Sequence, residues 1–85
     1  MVKKVILYMR KPCPLCDDAK TWLTILQQEY SFVIEERNIE TNDEWLEKYQ
    51  LMIPVIEIGG VTLHAEQLNL ASLENALKPF VNEGK

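Results

Sequence analysis

Hydrophobic and polar positions fall in alternating blocks along this chain of 85 residues. Residues 2–9 form an apolar run, rich in β-branched side chains and interrupted only by Lys3 and Lys4, of the length and character of a buried central strand. Pro12 and Pro14 end that run. Pro14 suits the first position of a helix, where the amide donor that proline lacks has no partner in any case. From there Leu15, Ala19, Trp22, Leu23 and Leu26 recur at i, i+4, i+7, i+8 and i+11, the stripe of an amphipathic helix expected to end near Gln28 or Glu29. Phe32, Val33 and Ile34 open a second strand that runs into charged residues as far as about Ile39, so its far end is expected to reach solvent. Thr41 and Glu44 have capping-box spacing, and Trp45, Leu46 and Tyr49 give a short helix over residues 42–49 one apolar face.

The last third of the chain carries turn signals. Beyond Pro54, the run Val55-Ile56-Glu57-Ile58, the pair Gly59-Gly60 and the run Val61-Thr62-Leu63-His64 read as a hairpin, with the glycines supplying positive φ in the turn. Asn69 is placed to cap a final helix in which Leu70, Leu73 and Leu77 recur at i, i+3 and i+7. Pro79 marks the expected limit of that helix, and the tail beyond Val81 is expected to fray. The order is therefore βαβαββα, an α/β chain with a four-stranded mixed sheet flanked by three helices. No repeat or linker divides it, and residues 1–85 are read as a single domain.

Composition narrows the function classes. The formal net charge of −4, with carboxylates crowded between Glu35 and Glu47, argues against a nucleic-acid partner, because phosphate binding needs a basic face. No apolar run approaches the roughly 20 residues that span a bilayer, so no membrane partner is expected. Before Arg10 only residues 5–9 are uninterruptedly apolar, shorter than a secretory h-region, so no export signal is expected and the predicted location is the cytoplasm.

The candidate chemistry lies in Cys13-Pro14-Leu15-Cys16, at the junction of the first strand and first helix. A bridge between two cysteines three residues apart closes too short a loop to constrain the unfolded chain much, so stapling is a poor explanation for the pair. In a reducing compartment such a pair signals redox chemistry or metal. At a helix start Cys13 meets unpaired amide donors and the positive end of the dipole, which lowers a thiol pKa. Cys16 lies one turn along the same face, within reach of the Cys13 sulfur. Cys13 is thus the expected nucleophile and Cys16 the resolving thiol. Arg10 and Lys11 add positive charge nearby, whereas Asp17 and Asp18 oppose a thiolate and stabilise the helix start. Tyr8 precedes the motif loop, either lining the site or filling the core. Trp22, Trp45 and Tyr49 lie on apolar helix faces and are read as core. Two other readings stand beside the redox one. The cysteines with His64 offer three ligands, one short of a structural zinc site, so a zinc or iron–sulfur centre would have to be shared in a dimer. The chain is otherwise a non-catalytic binding module.

Tyr8-Met9-Arg10-Lys11-Pro12-Cys13-Pro14-Leu15-Cys16 after a strand, and Ile53-Pro54-Val55-Ile56-Glu57-Ile58-Gly59-Gly60 before the last helix, resemble the glutaredoxin-like family of thioredoxin-fold proteins. With the element order, the resemblance covers nearly the whole chain. It implies a thioredoxin-like fold, a thiol–disulfide oxidoreductase acting on protein or small-molecule disulfides, and Pro54 in the cis form beside the cysteines. On that resemblance Ile53 and Pro54 would guide a substrate segment, with Arg10, Lys11 and Tyr8 around it. It implies no tightly bound cofactor; the reductant is either glutathione or a protein of the thioredoxin-reductase type. Glutathione-binding members place a Gly-Gly pair and an acidic cap after the hairpin. Here that place reads His64-Ala65-Glu66-Gln67, while Gly59-Gly60 belongs to the turn.

Overall fold

In the first strand, side chains on both faces are withdrawn from water, which is why its sequence is a continuous apolar run rather than an alternating one. The structure, a computed structural model, describes residues 3–82. β1 (Lys3–Met9) sends Val5, Leu7 and Met9 to one side of the sheet and Ile6 and Tyr8 to the other. α1 (Pro14–Leu26) crosses back to β2 (Phe32–Asn38), which pairs parallel with β1 from Lys3 opposite Phe32 to Met9 opposite Asn38. A 3₁₀ turn at Ile39–Thr41 leads into α2 (Asp43–Tyr49). β3 (Val55–Ile58) then lies antiparallel to β1, and β4 (Val61–His64) completes the hairpin. A second 3₁₀ turn at Ala65–Gln67 precedes α3 (Leu70–Asn82). The strand order is β2-β1-β3-β4, the mixed four-stranded sheet with three helices read from the sequence pattern.

Two apolar clusters hold the layers together. On one face, Cys16, Ala19, Leu23 and Leu26 of α1 and Leu73 and Leu77 of α3 meet Val5, Leu7, Met9, Ile56 and Ile58 of the sheet. On the other, Tyr8, Ile39, Tyr49 and Val55 are buried, with Ile6, Trp45, Leu46 and Met52 packed around them. Among the described residues no helix is long and apolar enough to cross a membrane.

Several boundaries differ from expectation, each for a local reason. α2 is capped by Asn42, whose Oδ1 accepts from the amides of Glu44 (2.9 Å) and Trp45 (3.1 Å). The Thr41 hydroxyl instead donates to the Asn38 carbonyl at 2.7 Å, closing the 3₁₀ turn, so it does not act as the cap. α3 runs through Pro79 to Asn82. The proline removes one amide donor, but Asn75, whose carbonyl would have accepted it, is exposed and open to water. Asn69 caps this helix as expected, accepting from the Ser72 amide at 2.8 Å while Ser72 Oγ accepts from the Asn69 amide at 3.0 Å. In the hairpin turn only Gly59 has positive φ, +60°. A Cβ there would come within 2.9 Å of the Phe80 ring, so both conformation and space require glycine. The expected strand start at Val2 lies outside the described residues; of the tail expected to fray beyond Val81, Asn82 belongs to α3 and the rest lies outside the described residues.

Leu15 also departs from its predicted place on the buried stripe. It is 59% exposed, and Cys16 takes the inward position at the top of α1 with 2% exposure. The buried face of α1 is centred on Cys16, Ala19, Leu23 and Leu26, and at about 100° per residue Leu15 falls at its edge.

Candidate active site

The site is built where β1 gives way to α1. Cys13 is the N-cap of α1, with extended backbone (φ −157°, ψ 97°), and Pro14 follows at the first helical position. The Cys13 Sγ accepts from the Cys16 amide at 3.2 Å, doing with sulfur what a serine or aspartate oxygen does at an ordinary cap. The Cys13 carbonyl accepts from the Asp17 amide at 3.1 Å, the first bond of the helical ladder. One turn separates the two cysteines: their Cα atoms are 5.2 Å apart and they are joined as a disulfide. Their surroundings differ. Cys16 is sealed into the cluster between α1 and the sheet, whereas Cys13 is only half-buried and borders it.

The pairing of β1 with β3 brings a second segment to the same end of the sheet. Tyr8 lies opposite Val55, so the chain preceding β3, Ile53-Pro54, arrives beside the end of β1 that leads to the motif. The Ile53–Pro54 peptide is cis, as is Lys11–Pro12 in the motif loop. Pro54 is buried, and Ile53 packs against both apolar clusters.

The charged residues around the motif divide into committed and open ones. Arg10 is ion-paired with Glu40 of the 3₁₀ turn at 3.0 Å, which ties the motif loop to the chain after β2. Lys11 is exposed and, with Met9, Glu36 and Asn38, lines a small cavity of about 190 Å³. Glu36 itself pairs with Lys20 at 3.1 Å. Asp17 and Asp18 are exposed in the first turns of α1, where carboxylates favour the helix dipole.

Tyr8 is brought to a different place from the cysteines. It is 5% exposed on the α2 face, with ring centroids 4.4 Å from Tyr49 and 5.8 Å from Trp45, and fills the core there instead of lining the site. Its hydroxyl accepts from Arg37 Nη1 at 3.0 Å. The Arg37 guanidinium lies over both the Tyr8 and Trp45 rings, 5.6 and 5.3 Å from their centroids, and its Nε donates to Glu35. Glu35 also pairs with Lys4 at 2.9 Å. Burial pushes the Tyr8 phenol above its ordinary pKa despite the Arg37 bond, and Lys4 and Arg37 hold the Glu35 carboxyl below its own. The sequence pattern does not reveal this network. Its one local signal is that Glu35 and Arg37, two apart on a strand, share a face.

His64 ends β4, where its amide donates to Gln67 Oε1 at 3.1 Å. Among the described residues no three His, Cys, Asp or Glu side chains converge as a metal site.

A sheet of this order with its three helices has counterparts among known proteins. A family model described as Glutaredoxin-like domain (DUF836) matches residues 4–84. The chain belongs to this glutaredoxin-like family. An X-ray structure of protein XcR50 from X. campestris is 26% identical with a TM-score of 0.69, the match covering 86% of this chain and 93% of that one. The solution structure of protein Ne2328 from Nitrosomonas europaea also has a TM-score of 0.69, at 23% identity over 88% of this chain and 91% of that one. A malarial protein at 15% identity has a TM-score of 0.64, over 95% and 99% of the two chains. The thioredoxin-like fold and the glutaredoxin-like family implied by the two sequence motifs are thus found, and the close cysteine pair fits thiol–disulfide chemistry.

Proposed function

We propose that this glutaredoxin-like protein is a thiol–disulfide oxidoreductase that reduces disulfides by dithiol exchange. The observation that carries the reading is the asymmetry within the pair, one sulfur half-exposed at the cap of α1 and the other sealed in the core. In the reduced protein the Cys13 thiolate faces the amides that open α1, which favour the anion. It attacks one sulfur of a substrate disulfide; an S–S bond forms to Cys13, the substrate S–S bond breaks, and the departing thiolate takes up a proton. Cys16 then loses its proton and attacks the Cys13 sulfur. The substrate's second thiol is released and the Cys13–Cys16 disulfide remains, so two electrons have passed from the protein to the substrate. A reductant restores the dithiol, either two molecules of glutathione or a dithiol protein of the thioredoxin-reductase type. Lys11, exposed two residues before Cys13, adds attraction for the thiolate, and Ile53 and Pro54 lie where a bound segment would run. The reaction suits a reducing cytoplasm.

The test is turnover of bis(2-hydroxyethyl) disulfide with each reductant system, for the wild type and two variants. Cys13→Ser abolishes turnover, and Cys16→Ser accumulates a mixed disulfide on Cys13 detectable by mass. Equal turnover by all three proteins overturns the proposal.

A further inference from the structure

The two edges of the sheet are finished differently. Edge strand β2 carries Glu35, Glu36 and Arg37, with Lys4 paired to Glu35 and Lys20 to Glu36. Charges of this kind keep a free edge from pairing with another chain. Edge strand β4, Val61-Thr62-Leu63-His64, carries no carboxylate, lysine, arginine or proline. Val61 is 46% exposed, and Thr62 is exposed beside it. Val61 pairs with Ile58 across the two-residue turn, so the ladder bonds of the hairpin fall at Val61 and Leu63, and Thr62 turns its N–H and C=O to the open side. The His64 amide, next along that side, donates to Gln67 Oε1 at 3.1 Å, which leaves Thr62 as the open pair. The same edge is apolar toward α3. Val61 and Leu63 lie on the face of their cross-strand partners Ile58 and Ile56, and Val61 lines a groove of about 270 Å³ with Ile58, Pro79 and Phe80.

An open strand edge accepts an extended segment, and the side chains decide which. A second copy of β4, laid antiparallel about a two-fold axis at Thr62, lets the two Thr62 residues exchange both backbone bonds. It also sets each Val61 beside Leu63 of the second copy on one face, at the open side of the groove. No charge meets its own copy within the joined hairpins, which matters for a chain of net charge −4. Their one carboxylate, Glu57, lies on β3 opposite Thr62. The two copies of Glu57 are then three strand spacings apart, about 14 Å, beyond the screening length of about 8 Å at physiological salt.

We infer that the β4 edge is a homodimer interface, through which two copies form one continuous eight-stranded sheet. β3 stands between β4 and the strand that leads to the cysteines, and the two-fold axis turns the two motifs to opposite ends, so both stay open. Two exchanged backbone bonds and one apolar row are less than a standard interface, so the dimer is reversible, with a Kd on the order of 100 μM.

Sedimentation equilibrium of the oxidised protein, in which the only two cysteines are joined to each other and cannot link copies, reads the association. The wild type passes from monomer to dimer between about 10 μM and 1 mM. Thr62→Pro removes an N–H that the hairpin does not use, and weakens the dimer at least about tenfold while circular dichroism and the melting temperature are retained. Val33→Ser, at a 45% exposed residue of edge strand β2, leaves the Kd unchanged. Where Thr62→Pro does not fold, amide exchange in the wild type decides: the Thr62 amide exchanges more slowly as protein concentration rises. A wild type that is monomeric up to about 1 mM, a dimer that survives in a folded Thr62→Pro variant, or Thr62 exchange that is independent of concentration overturns the inference. So does a monomer whose Thr62 amide is protected only by added acetyl-Thr-Val-Thr-Val-amide, which assigns the edge to a foreign strand.

Discussion

The two faces of the sheet are built from the same strands and solve different problems. On the side of α1 and α3 the contacts are mainly aliphatic and dry, with the Phe32 ring among them, and Cys16 is one more small apolar group among Val5, Leu7, Met9, Leu23 and Leu77. On the side of α2 the core is more aromatic and is edged by a partly exposed cation: the Arg37 guanidinium lies over Tyr8 and Trp45 and is held by Glu35 and the Tyr8 hydroxyl. Consecutive residues of β1 serve the two sides, Leu7 one and Tyr8 the other. The comparison teaches why the two cysteines differ: a thiol held in the dry layer is shielded from solvent, which is where Cys16 lies, while Cys13 stays half-exposed at its border. The polar network, in which Tyr8 and Arg37 are 29 residues apart in sequence, secures edge strand β2 to the central strand.

Substitutions on the two faces should therefore differ in size and in kind. Leu23→Ala removes a fully buried side chain from the dry layer and is expected to cost about 3 kcal/mol in urea unfolding, a large share of the stability of so small a domain. A loss below about 1 kcal/mol would mean that this layer is loosely packed. Tyr8→Phe keeps the ring and removes only the bond from Arg37, and a loss of about 1 kcal/mol is expected, with the fold and the reactivity of Cys13 unchanged. A changed Cys13 reactivity would show that the two faces are coupled.

The smallest effect is one of pH. Glu35 is held below its ordinary pKa of 4.5 by Lys4 and Arg37. A carboxyl depressed on folding contributes stability that is present above its unfolded value and is lost as pH falls from about that value through the lower folded one. Glu35→Gln should flatten this acid limb slightly and leave stability near neutral pH little changed, as expected of an exposed pair. An unaltered acid limb would remove Glu35 from the account.

What can be read in the sequence follows from how local each signal is. The Cys13-Pro14-Leu15-Cys16 junction, the Asn69 cap and the hairpin around Gly59 are written in neighbouring residues, and the structure places all three where the pattern puts them. Helical spacing misplaces Leu15 because it fits two adjacent stripes, one through Leu15 and one through Cys16, and it is the second that faces the sheet. Pro79 reads as a stop because sequence alone does not show that the carbonyl it deprives, that of Asn75, faces water. The partners of Arg10 and Tyr8 are illegible for a different reason. Glu40 and Arg37 reach them only once β2 has paired with β1 and brought the chain back across a helix. Proximity to the motif in sequence thus names Tyr8 and Arg10 as site residues, and topology directs one to the other face and the other to an ion pair.

The central claim is that α1 sets Cys13 apart from Cys16 as an activated, accessible thiol. Alkylation of the reduced protein by iodoacetamide, followed against pH and assigned to each cysteine by peptide mass, tests it most directly. The account predicts that Cys13 reacts first, with an apparent pKa below the free-thiol value of about 8.5, while Cys16 is modified much more slowly. Equal rates at the two cysteines, or a Cys13 pKa at or above that value, would contradict it.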